Sequence, residues 1–216
     1  MKLNKYIDHT LLKPTATRTE IAKLCHQAMQ YDFYSVCVNA CYIALAKDLL
    51  KGSAVSICSV VGFPLGAMQT VSKAAETKHA ISNGADEIDM VMNIGALKSN
   101  DYNVVLKDIK DVKQVLNTKI LKVIIETCYL NNNEIIKATD IVNESGANFI
   151  KTSTGFGTRG ASLEDIQLIK TIANPNLKIK ASGGIRDYNT ALAYVQLGVD
   201  RIGTSSGVKI VEHINN

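Results

Sequence analysis

The sequence contains no long apolar run. A membrane-spanning helix needs roughly 18 or more consecutive apolar residues, whereas the apolar runs here, such as residues 43–46, are far shorter. The first ten residues also lack the uninterrupted apolar core and the small-residue cleavage site of a secretory signal. We therefore expect a protein that stays in the cytoplasm and has no membrane partner.

Metal-ligand spacing is missing as well. The five cysteines include no Cys-x-x-Cys pair, and the four histidines share no ligand spacing. The sequence therefore predicts neither a disulfide framework nor a metal site, and we expect the protein to work without a metal or another cofactor.

Charge of one sign is not concentrated in any segment. The 24 basic and 20 acidic side chains leave a net charge of +4, which is spread along the chain. A nucleic-acid-binding surface needs clustered basic residues, so we expect no nucleic acid partner, whereas a small anionic ligand is compatible with this charge. The hydrophobic content of 46% suffices to bury a core, which excludes an intrinsically disordered chain.

What the sequence does contain is a regular alternation of helix and strand patterns. Apolar residues recur at helical spacing in residues 21–29, 45–50, 71–75, 105–116, 135–142 and 166–173. Short runs of strand-forming residues occupy 36–38, 55–61, 88–92, 120–125, 149–150, 177–180 and 201–202, and residues 6–10 supply an eighth. Eight strand-helix units in a chain of this length predict an α/β fold, a (β/α)8 TIM barrel that forms one domain over residues 1–216.

A weak internal repeat points to residues inside the barrel. Residues 84–88, 146–150 and 198–202 share the pattern Gly, small, Asp or Asn, any, Ile. The glycine suits the left-handed end of a helix, and the Ile begins a buried strand. Five places after each glycine stand Asp89, Lys151 and Gly203, which strand alternation turns inward. Lys180 on the next strand is inward by the same rule, so two lysines and one carboxylate are predicted to converge.

A buried lysine beside a second cation favours covalent chemistry. Burial and a neighbouring positive charge both depress the pKa of a lysine and so provide a neutral amine. Such an amine attacks a carbonyl to form an iminium, and Asp89 would then relay protons with Lys180. A structural ion-pair network explains the same residue types. At this point the residues leave both interpretations open.

Two loops rich in backbone amide donors predict a phosphate site. Residues 182–184 follow Lys180, and residues 203–207 end the last strand. Barrels often bind phosphate with the loops after strands seven and eight. Ser205 and Ser206 add hydroxyl donors, while Arg186 is either a phosphate contact or a solvated residue at a helix start.

The loop Gly155–Gly160 formally matches the dinucleotide-binding fingerprint. However, its strand carries Lys151, and about 20 residues later, where an acidic residue should hold a ribose, the sequence has Lys178 and Lys180. The loop is better interpreted as a lid over the site. An NADP-dependent oxidoreductase that uses this loop remains one alternative, and a non-catalytic barrel that binds a phosphorylated metabolite remains another.

Ordered blocks along nearly the whole chain resemble the deoxyribose-phosphate aldolase family. With residues 214–216 at its end, the chain resembles the short form of the family, which lacks the tyrosine-tipped tail of longer relatives. The blocks are residues 6–14, 36–39, 61–66, 87–91, 122–127, 149–156 and 180–186. The resemblance implies a class I aldolase that works without metal. Its partners would be a small phosphorylated sugar, 2-deoxy-D-ribose 5-phosphate, and the two aldehydes into which that sugar is reversibly cleaved, D-glyceraldehyde 3-phosphate and acetaldehyde. The resemblance places this reaction in deoxynucleoside breakdown. A homodimer is the assembly considered.

The resemblance also implies roles for individual residues. Lys151 matches the family's Schiff-base lysine, Lys180 its second lysine and Asp89 its proton-transfer aspartate. Asp8 and Thr10 match a polar cluster near the reacting carbons. The residues that match the phosphate-binding segment are Gly155, Gly183, Gly184, Ser205 and Ser206. Cys37 and Thr152, which lie within matching blocks, are also assigned to substrate binding, although Cys37 equally suits a buried packing position.

Overall fold

Eight parallel strands form a closed barrel in chain order in the computed structural model, which describes residues 1–213. The strands are Ile7–Leu11 (β1), Ser35–Val38 (β2), Ser56–Val61 (β3), Glu87–Val91 (β4), Ile120–Ile124 (β5), Phe149–Lys151 (β6), Lys178–Ser182 (β7) and Arg201–Thr204 (β8). The predicted (β/α)8 fold is confirmed, and each strand lies within a few residues of its predicted run. Residues 214–216, on which the resemblance to the short form of the family depends, lie outside the described residues.

Helices connect the strands and surround the barrel. They are Arg18–Gln30 (α1), Ile43–Leu49 (α2), Thr70–Ser82 (α3), Ile94–Lys98 (α4), Tyr102–Leu116 (α5), Asn132–Ser145 (α6), Leu163–Ile172 (α7), Tyr188–Gln196 (α8) and Gly207–Val211 (α9). Ser162 caps α7 by accepting a hydrogen bond from Asp165 N. Among residues 1–213, no helix has the length and apolarity needed to cross a membrane. Location in the cytoplasm stays a prediction.

The internal repeat joins three pairs of neighbouring strands. Its glycines have positive φ values of 111°, 78° and 94°, as their place at helix ends predicts. The Asp or Asn two positions later accepts a hydrogen bond from a backbone N–H near the start of the preceding strand. These bonds are Ile57 N to Asp86 (3.0 Å), Leu121 N to Asn148 (2.9 Å) and Ile179 N to Asp200 (2.8 Å). The repeat thereby helps to fix the strand register, which determines the side chains that point inward.

The main apolar cluster lies between the strands and the helices, and Ile88 and Ile150 belong to it as predicted. Helix α3 departs from the prediction. The helical spacing of apolar residues in 71–75 predicts a buried face there, but Val71 is 68% exposed.

Helix α3 instead buries Lys73, Thr77 and Ala80. The ammonium group of Lys73 contacts Asp108 on α5 at 2.5 Å and donates a hydrogen bond to Val91 O at 2.9 Å. A lysine that is paired in this way can be buried, so the hydropathy of its helix indicated the wrong face.

Candidate active site

A cavity of about 370 Å³ lies where β1, β6, β7 and β8 end. In a parallel barrel this is the end at which functional groups collect. The predicted site residues that line the cavity are Thr10, Lys151, Gly155, Gly183, Gly184 and Ser205. Lys151 is the last residue of β6 and is 3% exposed.

The predicted convergence of two lysines on one carboxylate is present beneath this cavity. Asp89 Oδ2 lies 2.8 Å from Lys151 Nζ and 2.7 Å from Lys180 Nζ. Gly203 also faces inward, because a Cβ on it would lie 3.0 Å from Ser182 Cβ and 3.1 Å from Lys180 Cε. A glycine at this position therefore leaves room for Lys180 beside Asp89.

A third lysine, which was not predicted, also contacts Asp89. Lys122 Nζ lies 2.9 Å from Asp89 Oδ1 and 2.6 Å from Glu87 Oε2. Burial alone would raise the pKa of Asp89, but the surrounding ammonium groups outweigh it and hold that pKa well below its usual value. Burial likewise opposes the charge on Lys122, yet the carboxylates raise the pKa of Lys122 well above its usual value.

Arg201 and Asp8 complete the buried charges inside the barrel. Arg201 Nε donates to Asp8 Oδ1 at 2.7 Å, and Arg201 Nη2 donates to Glu87 Oε2 at 2.9 Å. Asp8 Oδ2 in turn lies 2.5 Å from Lys180 Nζ. Despite its burial, Asp8 has a lowered pKa because of Lys180 and Arg201. The carboxylates raise the pKa of Lys180 and the pKa of Arg201 against the effect of burial.

Six of these side chains form a closed circuit of alternating positive and negative charge, which we call the charge ring. In order around the ring they are Arg201, Asp8, Lys180, Asp89, Lys122 and Glu87. Lys151 is attached to the ring through Asp89 alone among the contacts within residues 1–213. It is also the one of these seven side chains that lines the cavity.

Glu87, Lys122 and Arg201 were missed although the sequence carried a signal for them. Glu87 and Arg201 occupy the unspecified position of the internal repeat, two residues before the positions that were recognised as inward. Residues two apart on a strand share a face. Lys122 pairs in register with Asp89 and therefore points to the same side.

Cys37 and Cys58 lie beside Asp89 rather than at the cavity. They pair in register on β2 and β3, both are fully buried, and Cys58 Sγ lies 3.1 Å from Asp89 Oδ1. A hydrogen bond from Cys58 lowers the pKa of Cys37, while burial raises the pKa of Cys58 well above its usual value. The ligand atoms of both cysteines and Asp89 lie within 4.8 Å of one another. Both Asp89 oxygens already contact lysine ammonium groups, which would repel a metal cation there.

The remaining predicted residues lie around the loops. Thr10 Oγ1 donates to Asp8 O at 2.8 Å. Thr152 Oγ1 bonds to the backbone of Ser182 and so connects β6 to β7, outside the cavity lining. Ser206 precedes α9, next to Ser205 but also outside that lining. Direct substrate contacts by Cys37, Thr152 and Ser206, and by the other residues assigned to substrate binding, stay predictions.

The loop Gly155–Gly160 lies at the cavity, where Gly155 and Phe156 contribute to the lining. Thr154 N at its start donates to the buried carboxylate of Glu126 at 3.1 Å. At its other end Gly160 packs so closely on Gly183 that an added Cβ would lie 2.1 Å from Gly183 O. The loop therefore lies directly against the predicted phosphate-binding segment, and its interpretation as a lid stays a prediction.

The end of the cavity formed by β7 and β8 is suited to an anion. Gly183 and Gly184 have φ values of 86° and 80°, and Ser205 adds a hydroxyl group. Arg186 and Lys13 line the same cavity with exposed side chains. For Arg186 this position favours the anion-contact interpretation, and Lys13 was missed because nothing in the strand pattern indicated it.

Comparison with known proteins gives a consistent match. Residues 2–213 match the model of the DeoC/LacD family aldolase. A deoxyribose-phosphate aldolase from Finegoldia magna is 57% identical over 212 residues, which cover 98% of this chain and 100% of that protein. The corresponding protein of Mycoplasma capricolum is 54% identical over 98% of this chain and 95% of its own length.

Solved structures agree with the sequence matches. A putative deoxyribose-phosphate aldolase from Coccidioides immitis superposes with a TM-score of 0.95 at 40% identity, over 97% of this chain and 84% of that one. The deoxyribose-phosphate aldolase of Aeropyrum pernix, described as tetrameric, gives a TM-score of 0.91 at 32% identity, over 97% and 89%. For this chain the homodimer stays a prediction.

Proposed function

The chain belongs to the DeoC/LacD family of aldolases, and from this membership we propose that it reversibly cleaves 2-deoxy-D-ribose 5-phosphate into D-glyceraldehyde 3-phosphate and acetaldehyde through a Schiff base on Lys151. Membership makes the protein a lyase. One observation carries the assignment to Lys151: it is the lysine beside Asp89 that also lines the cavity.

The other two lysines at Asp89 are poorly placed for attack. Lys122 and Lys180 are fully buried, and each contacts two carboxylates. Those carboxylates stabilise the ammonium forms, which have no lone pair with which to attack a carbonyl. Lys151 contacts one carboxylate and faces the open space where a substrate fits.

Charge balance supports a neutral amine at Lys151. The charge ring contains three cations and three carboxylates, so it is neutral by itself. A protonated Lys151 would add an uncompensated charge to the barrel interior, which is costly. A neutral Lys151 keeps the buried charges balanced and provides the nucleophile that the reaction needs.

The proposed reaction begins when the Lys151 amine attacks the C1 aldehyde of the open-chain sugar. The resulting carbinolamine loses water to form an iminium, which accepts the electron pair of the C2–C3 bond as that bond breaks. The proton of the C3 hydroxyl leaves at the same time, so that C3 becomes the aldehyde of D-glyceraldehyde 3-phosphate. Protonation of the remaining enamine at C2 and hydrolysis release acetaldehyde and restore the amine. Asp89 and Lys180, with a water molecule, transfer these protons.

The phosphate group of the substrate would occupy the end of the cavity near β7 and β8. The backbone of Gly183 and Gly184 and the Ser205 hydroxyl would bind it, with Arg186 supplying positive charge. Binding the phosphate there fixes the distance between the sugar aldehyde and Lys151. The aldolase matches favour this reaction over an NADP-dependent oxidoreductase and over a non-catalytic phosphate-binding barrel.

A cleavage assay with a matched lysine control tests the proposal. Lys151→Ala should reduce the release of D-glyceraldehyde 3-phosphate on the order of 10³-fold or more. Lys178→Ala should leave it unchanged, because Lys178 is an exposed lysine at the start of β7. Ordinary activity in Lys151→Ala with a normal circular dichroism spectrum would overturn the assignment.

A further inference from the structure

Arg201 and Glu87 do not line the cavity, yet they close the charge ring. Arg201 is 3% exposed and Glu87 is 2% exposed. The Arg201 guanidinium lies 3.4 Å from the centre of the Tyr34 ring and donates to Ser35 Oγ at 3.3 Å. An arginine in this setting keeps its charge at every pH at which the protein is folded.

Within residues 1–213, the contacts that connect both residues to the reacting lysine run through other side chains. Arg201 contacts Asp8, which contacts Lys180, and Lys180 shares an oxygen of Asp89 with Lys151. Glu87 contacts Lys122, which binds the other oxygen of Asp89. Two chains of contacts therefore lead from the Arg201–Glu87 pair to Asp89, the carboxylate that Lys151 touches.

We propose that Arg201 and Glu87 are positioning residues that set the charge balance around Lys151 and thereby the pH range in which its amine can attack substrate. This inference rests on the proposed function of Lys151. The interior of the barrel screens charge poorly, so a charge gained or lost in the ring changes the protonation of its neighbours. Without Arg201 the ring carries an excess negative charge, which favours a protonated Lys151. Without Glu87 it carries an excess positive charge, which favours the neutral amine.

Other titratable groups lie in the barrel interior or in the cavity lining around Lys151 and have to remain constant in the test. From the strands and their loops they are Asp8 and Lys13 (β1), Cys37 (β2), Cys58 (β3), Asp89 (β4), Lys122 (β5), and Lys180 and Arg186 (β7). Substitutions at Arg201 and Glu87 leave all of them in place. An opposite response to the two substitutions can therefore be assigned to the sign of the charge that was removed.

The test is the pH profile of kcat/KM for cleavage of 2-deoxy-D-ribose 5-phosphate. The acid limb should move to higher pH by roughly one unit in Arg201→Gln and to lower pH by a similar amount in Glu87→Gln. The double variant Arg201→Gln/Glu87→Gln restores neutrality, so its acid limb should return close to that of the wild type. Arg201→Lys keeps the charge and should also keep the profile.

Asp108→Asn is the matched control for Glu87→Gln. Asp108 is likewise 2% exposed and paired with a buried lysine, Lys73, but it lies on α5 and has no contact with the charge ring among the described residues. Its substitution should lower stability without moving the acid limb. A shift in this control as large as that in Glu87→Gln would contradict the proposal.

Acid limbs that move in the same direction, or not at all, in the two single variants would overturn the role of the ring. If Arg201→Gln does not fold, Glu87→Gln alone decides, because a shift to higher pH or no shift contradicts the proposal. Lys151→Ala separates this failure from a failure of the proposed function. Full activity in Lys151→Ala refutes the Schiff base, whereas an inactive Lys151→Ala with unmoved acid limbs refutes only the ring proposal.

Discussion

Asp89→Asn should destabilise the protein and inactivate it, to an extent that depends on pH. The substitution keeps the size of the side chain but removes the carboxylate that contacts three lysines at 2.7–2.9 Å. Because Asp89 is fully buried, no solvent replaces the lost charge. Removing one partner of a buried ion pair typically costs about 3–5 kcal/mol. The amide oxygen still accepts a hydrogen bond, so we expect a loss of about 3 kcal/mol at neutral pH.

The pH dependence follows from the depressed pKa of Asp89. In the folded protein this pKa lies well below its usual value of 3.8, so the unfolded chain takes up a proton first as the pH falls. The stabilisation by the ionised group is complete well above pH 3.8 and is lost as the pH decreases from there toward the folded pKa. The stability difference between wild type and Asp89→Asn should therefore be constant near neutrality and shrink below about pH 4.

Urea unfolding followed by circular dichroism at pH 7, 5 and 3.5 would measure this difference. In thermal unfolding, a loss of about 3 kcal/mol corresponds to a decrease in Tm of roughly 6–12 °C for a chain of this size. Cleavage activity at pH 7 should decrease on the order of 10²–10⁴-fold, because the group that transfers protons is gone. A variant as stable as the wild type at pH 7, or a stability difference that grows on acidification, would refute the reasoning.

Two further substitutions test the phosphate end of the cavity. Ser205→Ala should raise KM severalfold for the phosphorylated sugar, because one charge-assisted hydrogen bond is lost, and should leave KM for unphosphorylated 2-deoxyribose unchanged. Steady-state kinetics with both sugars checks this, and an equal effect on both KM values would count against the phosphate site. Gly160→Ala would place a Cβ 2.1 Å from Gly183 O and so displace the segment predicted to bind the phosphate. We expect kcat/KM for the phosphorylated sugar to decrease at least tenfold, roughly the effect of misplacing bound substrate. Gly95→Ala is the control in the same assay, since its Cβ would meet the nearest atom at 3.6 Å.

The sequence predicted the barrel because eight strand-forming runs alternate with stretches of helical spacing along the chain. The repeat placed Asp89 and Lys151 on the same face, and their contact at 2.8 Å confirms that placement. The alternation rule that turns Lys151 inward also turns Thr152 outward, so Thr152 could have been placed correctly from the sequence. It lies outside the cavity lining and connects β6 to β7.

Other features could not be predicted because they depend on contacts between distant segments. Asp8 and Arg201 meet only because β1 and β8 close the barrel, and they are 193 positions apart in the chain. Lys73 is buried on α3 only because Asp108 on α5 pairs with it. Strand alternation gives the direction of a side chain but not its depth along the barrel axis. The sequence therefore could not show that, of Lys151 and the six side chains of the charge ring, Lys151 is the one that lines the cavity.

The most direct measurement is borohydride trapping followed by peptide mass spectrometry. Incubation with 2-deoxy-D-ribose 5-phosphate or acetaldehyde should form the iminium, which borohydride reduces to a stable secondary amine. We expect the adduct on the peptide that contains Lys151, and its loss in Lys151→Ala. An adduct on Lys122 or Lys180 instead, or no adduct in an enzyme that cleaves the sugar, would contradict the central claim.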